Sequence, residues 1–173
     1  MRDERQRSIE HLVTEIFTCL ELSPHFPVDI KKAVQRLGGR IERLDLERNP
    51  RGIIAREDHR SFTLKVPQQL SAEQRRYELA HLTGHLFLHM GYILDDERWL
   101  NEPEYKDSPT YRYGHDHEER DADWFAGAFV MPEGSFREVA TQHYQLTDIA
   151  EVFGVPPPLA KLRGQYLDLF PWE

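Results

Sequence analysis

Tyr77-Glu78-Leu79-Ala80-His81-Leu82-Thr83-Gly84-His85-Leu86-Phe87-Leu88-His89 places two histidines four residues apart in a run that reads as one helix. The helix has a visible beginning and end. Ser71 is its N-cap, with Gln74 three residues on as the capping-box partner, and Gly91 supplies the stop about five turns later. At 3.6 residues per turn, His81 and His85 project about 40° from one another, so both imidazoles can reach one ion. Histidines at this spacing also occur on ordinary packed or solvated faces, so the pair alone does not establish a metal site.

A second stretch supplies acids at the same spacing. Glu118-Glu119-Arg120-Asp121-Ala122-Asp123-Trp124-Phe125 opens a helix that begins near Asp116 and ends before Pro132. Glu119 and Asp123 are four apart on it. One carboxylate can complete a two-histidine, one-glutamate zinc site, and the other can accept an N–H from a ligating imidazole. Without the histidines, Glu119 reads as a first-turn capping acid and Asp123 as a solvent-facing one.

Taken together, the two stretches resemble the ImmA/IrrE family of zinc metallopeptidases. That family's pattern is an Ala-His-Glu-x-Gly-His helix ending in Leu and His, then Glu-x-Glu-Ala-Asn-x-Phe-Ala and an apolar run closing in Met-Pro. The matching residues are Ala80, His81, Gly84, His85, Leu88 and His89, then Glu119, Asp121, Ala122, Asp123, Phe125, Ala126, Met131 and Pro132. The likeness extends upstream through Pro27-Val28-Asp29 and Leu37-Gly38-Gly39, and downstream through Asp148 to Val155. The resemblance implies Zn2+ held by His81, His85 and Glu119, with Asp123 orienting a ligand histidine.

Leu82 departs from the pattern at the position that matters for catalysis. In a His-Glu-x-x-His peptidase this residue is the glutamate that activates the attacking water and delivers its proton to the leaving amine. A leucine does neither, and general acid–base help is typically worth ~10²–10⁴-fold. Glu78, one turn earlier, and Glu118, beside Glu119, are the candidate substitutes. Glu78 is displaced about 6 Å along the axis and is expected to miss the water. His115, Asp116 and His117 adjoin the second helix or its loop. His89 lies about 12 Å from His81 along the helix and cannot share its ion; it reads as packing or a cap. Gly84 costs a helix interior about 1 kcal/mol relative to Ala, and the resemblance implies that the gap lets another segment pack closely beside the metal site.

The rest of the chain frames this pair of helices. Ile9, Leu12, Val13, Ile16, Phe17 and Leu20 recur at helical spacing over residues 4 to 21. A second short helix after Pro27 turns Val28, Ala33, Val34 and Leu37 inward and stops at Gly38-Gly39. Strands are expected over 40–46, 52–56 and 61–66, the last two forming a hairpin around Glu57-Asp58-His59-Arg60. Residues 95–116, rich in acids and in Trp99, Tyr105, Tyr111 and Tyr113, show no periodicity and read as a loop bordering the zinc cleft. Residues 147–170 read as a small helical pair that closes the core; acidity and three prolines argue against DNA reading.

Bulk properties narrow the class. With 173 residues the chain fits one domain, residues 1–173, and the expected fold is a small α+β zincin-like domain. Its elements are N-terminal helices, a small β-sheet or hairpin, the metal-binding helix pair and C-terminal helices. Cys19 is the one cysteine, which suits a reducing, cytoplasmic setting, and neither a signal peptide nor a membrane span is visible. The net charge of −8 is uneven, since residues 1–80 carry 15 Lys and Arg against 13 Asp and Glu, and the remainder 7 against 17. That field repels a phosphate backbone and attracts a basic segment, so the expected partner is a protein or extended peptide and not nucleic acid. The leading reading is a zinc-binding pseudopeptidase acting as a regulatory or peptide-binding module. Its rivals are an active zinc endopeptidase with a non-standard base, cleaving a regulator or repressor protein, and a metal-free structural domain.

Overall fold

The computed structural model describes residues 3–22, 25–45, 51–107, 116–143 and 145–169. Helix α1 (Glu4–Cys19) starts where the Asp3 carboxylate accepts from the Arg5 N–H, and it buries Ile9, Val13 and Ile16 along one stripe. Helix α2 (Ile30–Arg36) is capped by Asp29, which accepts from the Lys32 N–H at 3.0 Å. Strand β1 (Gly39–Leu44) follows, then the hairpin β2 (Gly52–Arg56) and β3 (Phe62–Pro67) around the polar turn expected at 57–60. Helix α3 (Ala72–Leu88) has the reciprocal Ser71–Gln74 capping box, and Gly91 at φ +79° lets the chain turn away beyond it.

The stretch after α3 is not the structureless loop that its lack of periodicity implied. It contains helix α4 (Asp96–Asn101), capped by Asp95, and strand β4 (Glu104–Asp107). Trp99, 1% exposed, anchors α4 by donating its indole N–H to the His59 carbonyl at 2.8 Å. Strand β4 is too short for alternation to be legible, and its two inward residues are Tyr105 and Asp107, of which the second is an acid. Residues 108–115, with Tyr111, Tyr113 and His115, lie outside the described residues.

The sheet has the order β1-β3-β2-β4, with β1 parallel to β3 and the other pairs antiparallel. Strand β4 therefore adds to the edge of β2, pairing Gly52 with Asp107 and Ile54 with Tyr105. Helix α3 lies against β2 and β3 and packs along helix α5 (Asp116–Val130). Gly84 permits the close approach of α3 to α5, because a Cβ there would fall 3.1 Å from the Ala122 Cα and 3.0 Å from the Phe125 Cβ.

Helices α6 (Glu133–Gln142), α7 (Leu146–Phe153) and α8 (Pro157–Tyr166) complete the α+β domain. The last two are the expected helical pair, and they close the core. Ile149, Phe153 and Ala160 are fully buried, and Arg163, 1% exposed, donates to the Met131 carbonyl at 2.9 Å and pairs with Glu10 of α1. No helix among the described residues is long and apolar enough to cross a membrane.

Candidate metal centre

Helix periodicity puts His81 and His85 on one face of α3, and their Nε2 atoms stand 3.1 Å apart, both rings buried. Helix α5 brings Glu119 against them, with Oε2 3.4 Å from His81 Nε2 and Oε1 3.3 Å from His85 Nε2. The three residues expected to bind metal thus converge. A tetrahedral ion with bonds of about 2.0–2.1 Å has ligand atoms roughly 3.3–3.4 Å apart. The observed separations match those edges.

The outward ring nitrogens are also fixed. His81 Nδ1–H donates to Asp123 Oδ1 at 2.9 Å, the position expected for Asp123, and the Tyr77 hydroxyl donates to the same oxygen at 3.4 Å. That tautomer leaves the His81 Nε2 lone pair for a metal. His85 Nδ1 lies 2.8 Å from His89 Nδ1. His89, at the C-cap of α3, therefore partners a histidine of the cluster instead of joining it.

Two residues that the sequence does not point to enter the site through the sheet, one on β4 and one just before β2. Asp107, at the end of β4, is 0% exposed, with Oδ2 3.4 Å from His81 Nε2 and Oδ1 3.7 Å from His85 Nε2. Ligand atoms of His81, His85, Asp107 and Glu119 all fall within 4.8 Å of one another. Arg51, just before β2, donates to Glu119 Oε2 at 2.8 Å and lies 3.7 Å from Asp107 Oδ1. Neither could be found from short spacing, because sheet pairing delivers both.

The electrostatics follow from this crowding. Burial opposes a charge on His81, but Asp107, Asp123 and Glu119 outweigh it and hold the imidazole well above its usual pKa. Burial, reinforced by the charge on His81, pushes His85 down. Burial would raise Glu119 and Asp107, yet the facing imidazoles keep both below the usual carboxylate range. Glu78 is different, since burial pushes its carboxyl up to about 8 and the nearby Asp107 adds to the effect. Its Oε1 is enclosed without a hydrogen bond. Glu118 accepts from the Tyr105 hydroxyl at 2.8 Å and neighbours His85 and His89.

Residues 34–163 match the peptidase family described as the IrrE N-terminal-like domain. The chain belongs to this family. Among solved structures, a Mycobacterium tuberculosis transcriptional regulator shares the fold at a TM-score of 0.61 and 20% identity, over 89% of this chain and 45% of that one. The present chain thus spans under half the length of that regulator. No curated protein matches the sequence.

Leu82 directly follows the first histidine of the cluster. Leu82 is 0% exposed and packs under the start of β2, where a Cβ on Gly52 would fall 2.8 Å from both Leu82 Cδ atoms. Position 82 is therefore part of the core. The donor set still suits a divalent metal. Two imidazoles and a carboxylate offer nitrogen and oxygen atoms at tetrahedral separations, and Asp107 has both carboxylate oxygens buried without a hydrogen bond.

Proposed function

We propose that this IrrE-like domain is a zinc-binding pseudopeptidase, a module that keeps the metal site and the fold of its family and acts by binding a protein or peptide. The single observation that carries this reading is the coexistence of the His81, His85 and Glu119 cluster with a fully buried leucine at position 82. His81, His85 and Glu119 would hold zinc, and Asp123 would orient His81. Bound there, zinc supplies a Lewis acid that polarises a carbonyl. The chain must supply the proton transfers, and residue 82 has no group that accepts or donates one.

Charge supports a divalent occupant. Asp107, Glu119 and Asp123 surround two imidazoles, with Arg51 as a neighbouring cation. A dication offsets that excess of carboxylates better than a proton on His81 does. The acidic second half of the chain favours a basic peptide segment as partner. The regulator that shares the fold fits a regulatory role, and the lone Cys19 fits the cytoplasm.

A second reading has one specific observation in its favour. Glu78 is a carboxyl with its pKa pushed to about 8, beside His81 and Asp107, and such a group could serve as an unusual base in an active endopeptidase.

Metal analysis and a peptide-library assay test these readings together. The purified protein is expected to carry about one zinc per chain, which His81→Ala or Glu119→Ala removes, and to leave the library uncleaved. Brisk zinc-dependent cleavage that Glu78→Gln abolishes would replace the first reading by the second. A protein that takes up no zinc would leave only a structural domain.

A further inference from the structure

Strand β4 covers the edge of β2 and carries Asp107 to the histidines of α3. Strand addition, in which an extended peptide pairs with an exposed sheet edge, is a general mode of peptide binding, and β2 would offer such an edge beside α3 if β4 were absent. Here β4 pairs antiparallel with β2 in that position, in the register Gly52 with Asp107, Ile53 with Lys106, Ile54 with Tyr105 and Ala55 with Glu104. Two further backbone bonds extend the pairing, from the Arg51 N–H to the Asp107 carbonyl at 2.8 Å and from the Arg56 N–H to the Pro103 carbonyl at 2.9 Å.

The side chains of β4 continue the occupation. Tyr105 is buried with its ring 4.5 Å from that of His85. Two residues on, and so on the same face, Asp107 turns toward the histidines. A buried carboxylate with two unbonded oxygens is costly unless something compensates it. His81 Nε2 at 3.4 Å and Arg51 at 3.7 Å are near in charge but make no hydrogen bond to it. A metal among His81, His85 and Glu119 would give those oxygens a direct bond in place of these longer charge contacts.

We propose that Asp107 is a fourth protein ligand of the metal, and that β4 is an internal occupant of the peptide-binding edge, so that the chain closes its own site. This rests on the zinc reading above and adds to it a site closed to outside ligands. Four protein ligands describe a structural zinc site, whereas a catalytic one keeps an open position. An extended partner could pair with β2 only by displacing β4, which would remove Asp107 from the metal.

Cobalt in place of zinc reports coordination directly through its visible absorption. The full chain is loaded with Co2+ and titrated with acetohydroxamate, a small chelating ligand for an open position. Wild-type protein should keep its spectrum, whereas Asp107→Asn and Asp107→Ala should shift theirs on titration. Zinc affinity by competition with a chromophoric chelator should fall in both variants by at least the roughly 10–100-fold that loss of an outer partner costs. Asp107→Asn retains the shape of β4, and circular dichroism checks that each variant is folded. Equal hydroxamate response and equal zinc affinity in the wild type and Asp107→Asn would overturn the assignment while leaving the zinc reading intact. Failure of the wild type to take up either metal would overturn both.

Discussion

Gly84→Ala probes how closely the helix pair must approach for the site to exist. In a helix interior this change gains about 1 kcal/mol of propensity. The added methyl, however, would fall 3.0 Å from the Phe125 Cβ, 3.2 Å from its Cγ and 3.1 Å from the Ala122 Cα. Carbon atoms rest about 3.5–4.0 Å apart, so α5 must retreat by roughly 0.5 Å, and the Ala122 contact is backbone that no rotamer change relieves. Overpacking of this kind costs about 1–3 kcal/mol, which leaves a net destabilisation of about 1 kcal/mol. The larger effect is on metal. Glu119 and Asp123 flank Ala122 on α5, and their contacts to His81 at 3.4 and 2.9 Å lengthen together as the helix moves. Urea denaturation in the presence of a chelator, followed by zinc titration, separates the two quantities. The expected outcome is a small loss of metal-free stability with about a tenfold or greater loss of zinc affinity. A variant stabilised by the full propensity gain, with unchanged zinc affinity, would refute the idea that this close approach sets the geometry of the site.

Asp123→Ala removes the acceptor of His81 Nδ1–H and should weaken zinc binding by roughly 10–100-fold with the fold intact, as measured by chelator competition. Arg163→Met breaks the buried link between α8, Glu10 and the Met131 carbonyl and should cost about 3 kcal/mol in chemical denaturation, zinc present or not. Because three carboxylates hold His81 protonated above its ordinary pKa, zinc must displace a proton there; affinity should rise with pH until that pKa is passed. Calorimetry in two buffers of different ionisation enthalpy measures the protons released.

Most of the helix pair was legible because its ligands lie at local spacings. His81 and His85, and Glu119 and Asp123, are each four apart, so helix geometry alone predicts that each pair shares a face. Gly84 was legible as a close contact through the family resemblance, and the structure sets Ala122 and Phe125 against it. What escaped was carried by sheet pairing. Asp107 looks like one more acid in an acidic loop, and only its register opposite Gly52 takes it to the histidines. Arg51 reaches the same carboxylates from the start of β2. The tight fit of Leu82 against Gly52 is likewise a contact between α3 and β2 that no local pattern encodes. Position 82 could be read as a missing base, but not as a core position.

On the proposed zinc site, the missing base and the extra carboxylate would be coupled through the metal's coordination shell. A general base at position 82 serves only if a water can reach the metal, and Asp107 as fourth ligand removes the vacancy it would occupy. Loss of the glutamate then costs nothing further, and Leu82 is free to contribute a fully buried side chain to the core. Restoring the glutamate alone should therefore gain little. Leu82→Glu leaves Asp107 on the metal and, in addition, presses a carboxyl against Gly52. Asp107→Ala alone opens the shell but lacks the base, which is worth ~10²–10⁴-fold. The double variant, with zinc loaded and its content verified, should cleave a peptide library faster than either single variant by more than the product of their separate gains. That non-additivity is the signature of two residues acting on one reaction. Leu82→Glu as active alone as with Asp107→Ala would show that Asp107 does not close the site, and that the leucine by itself silenced it.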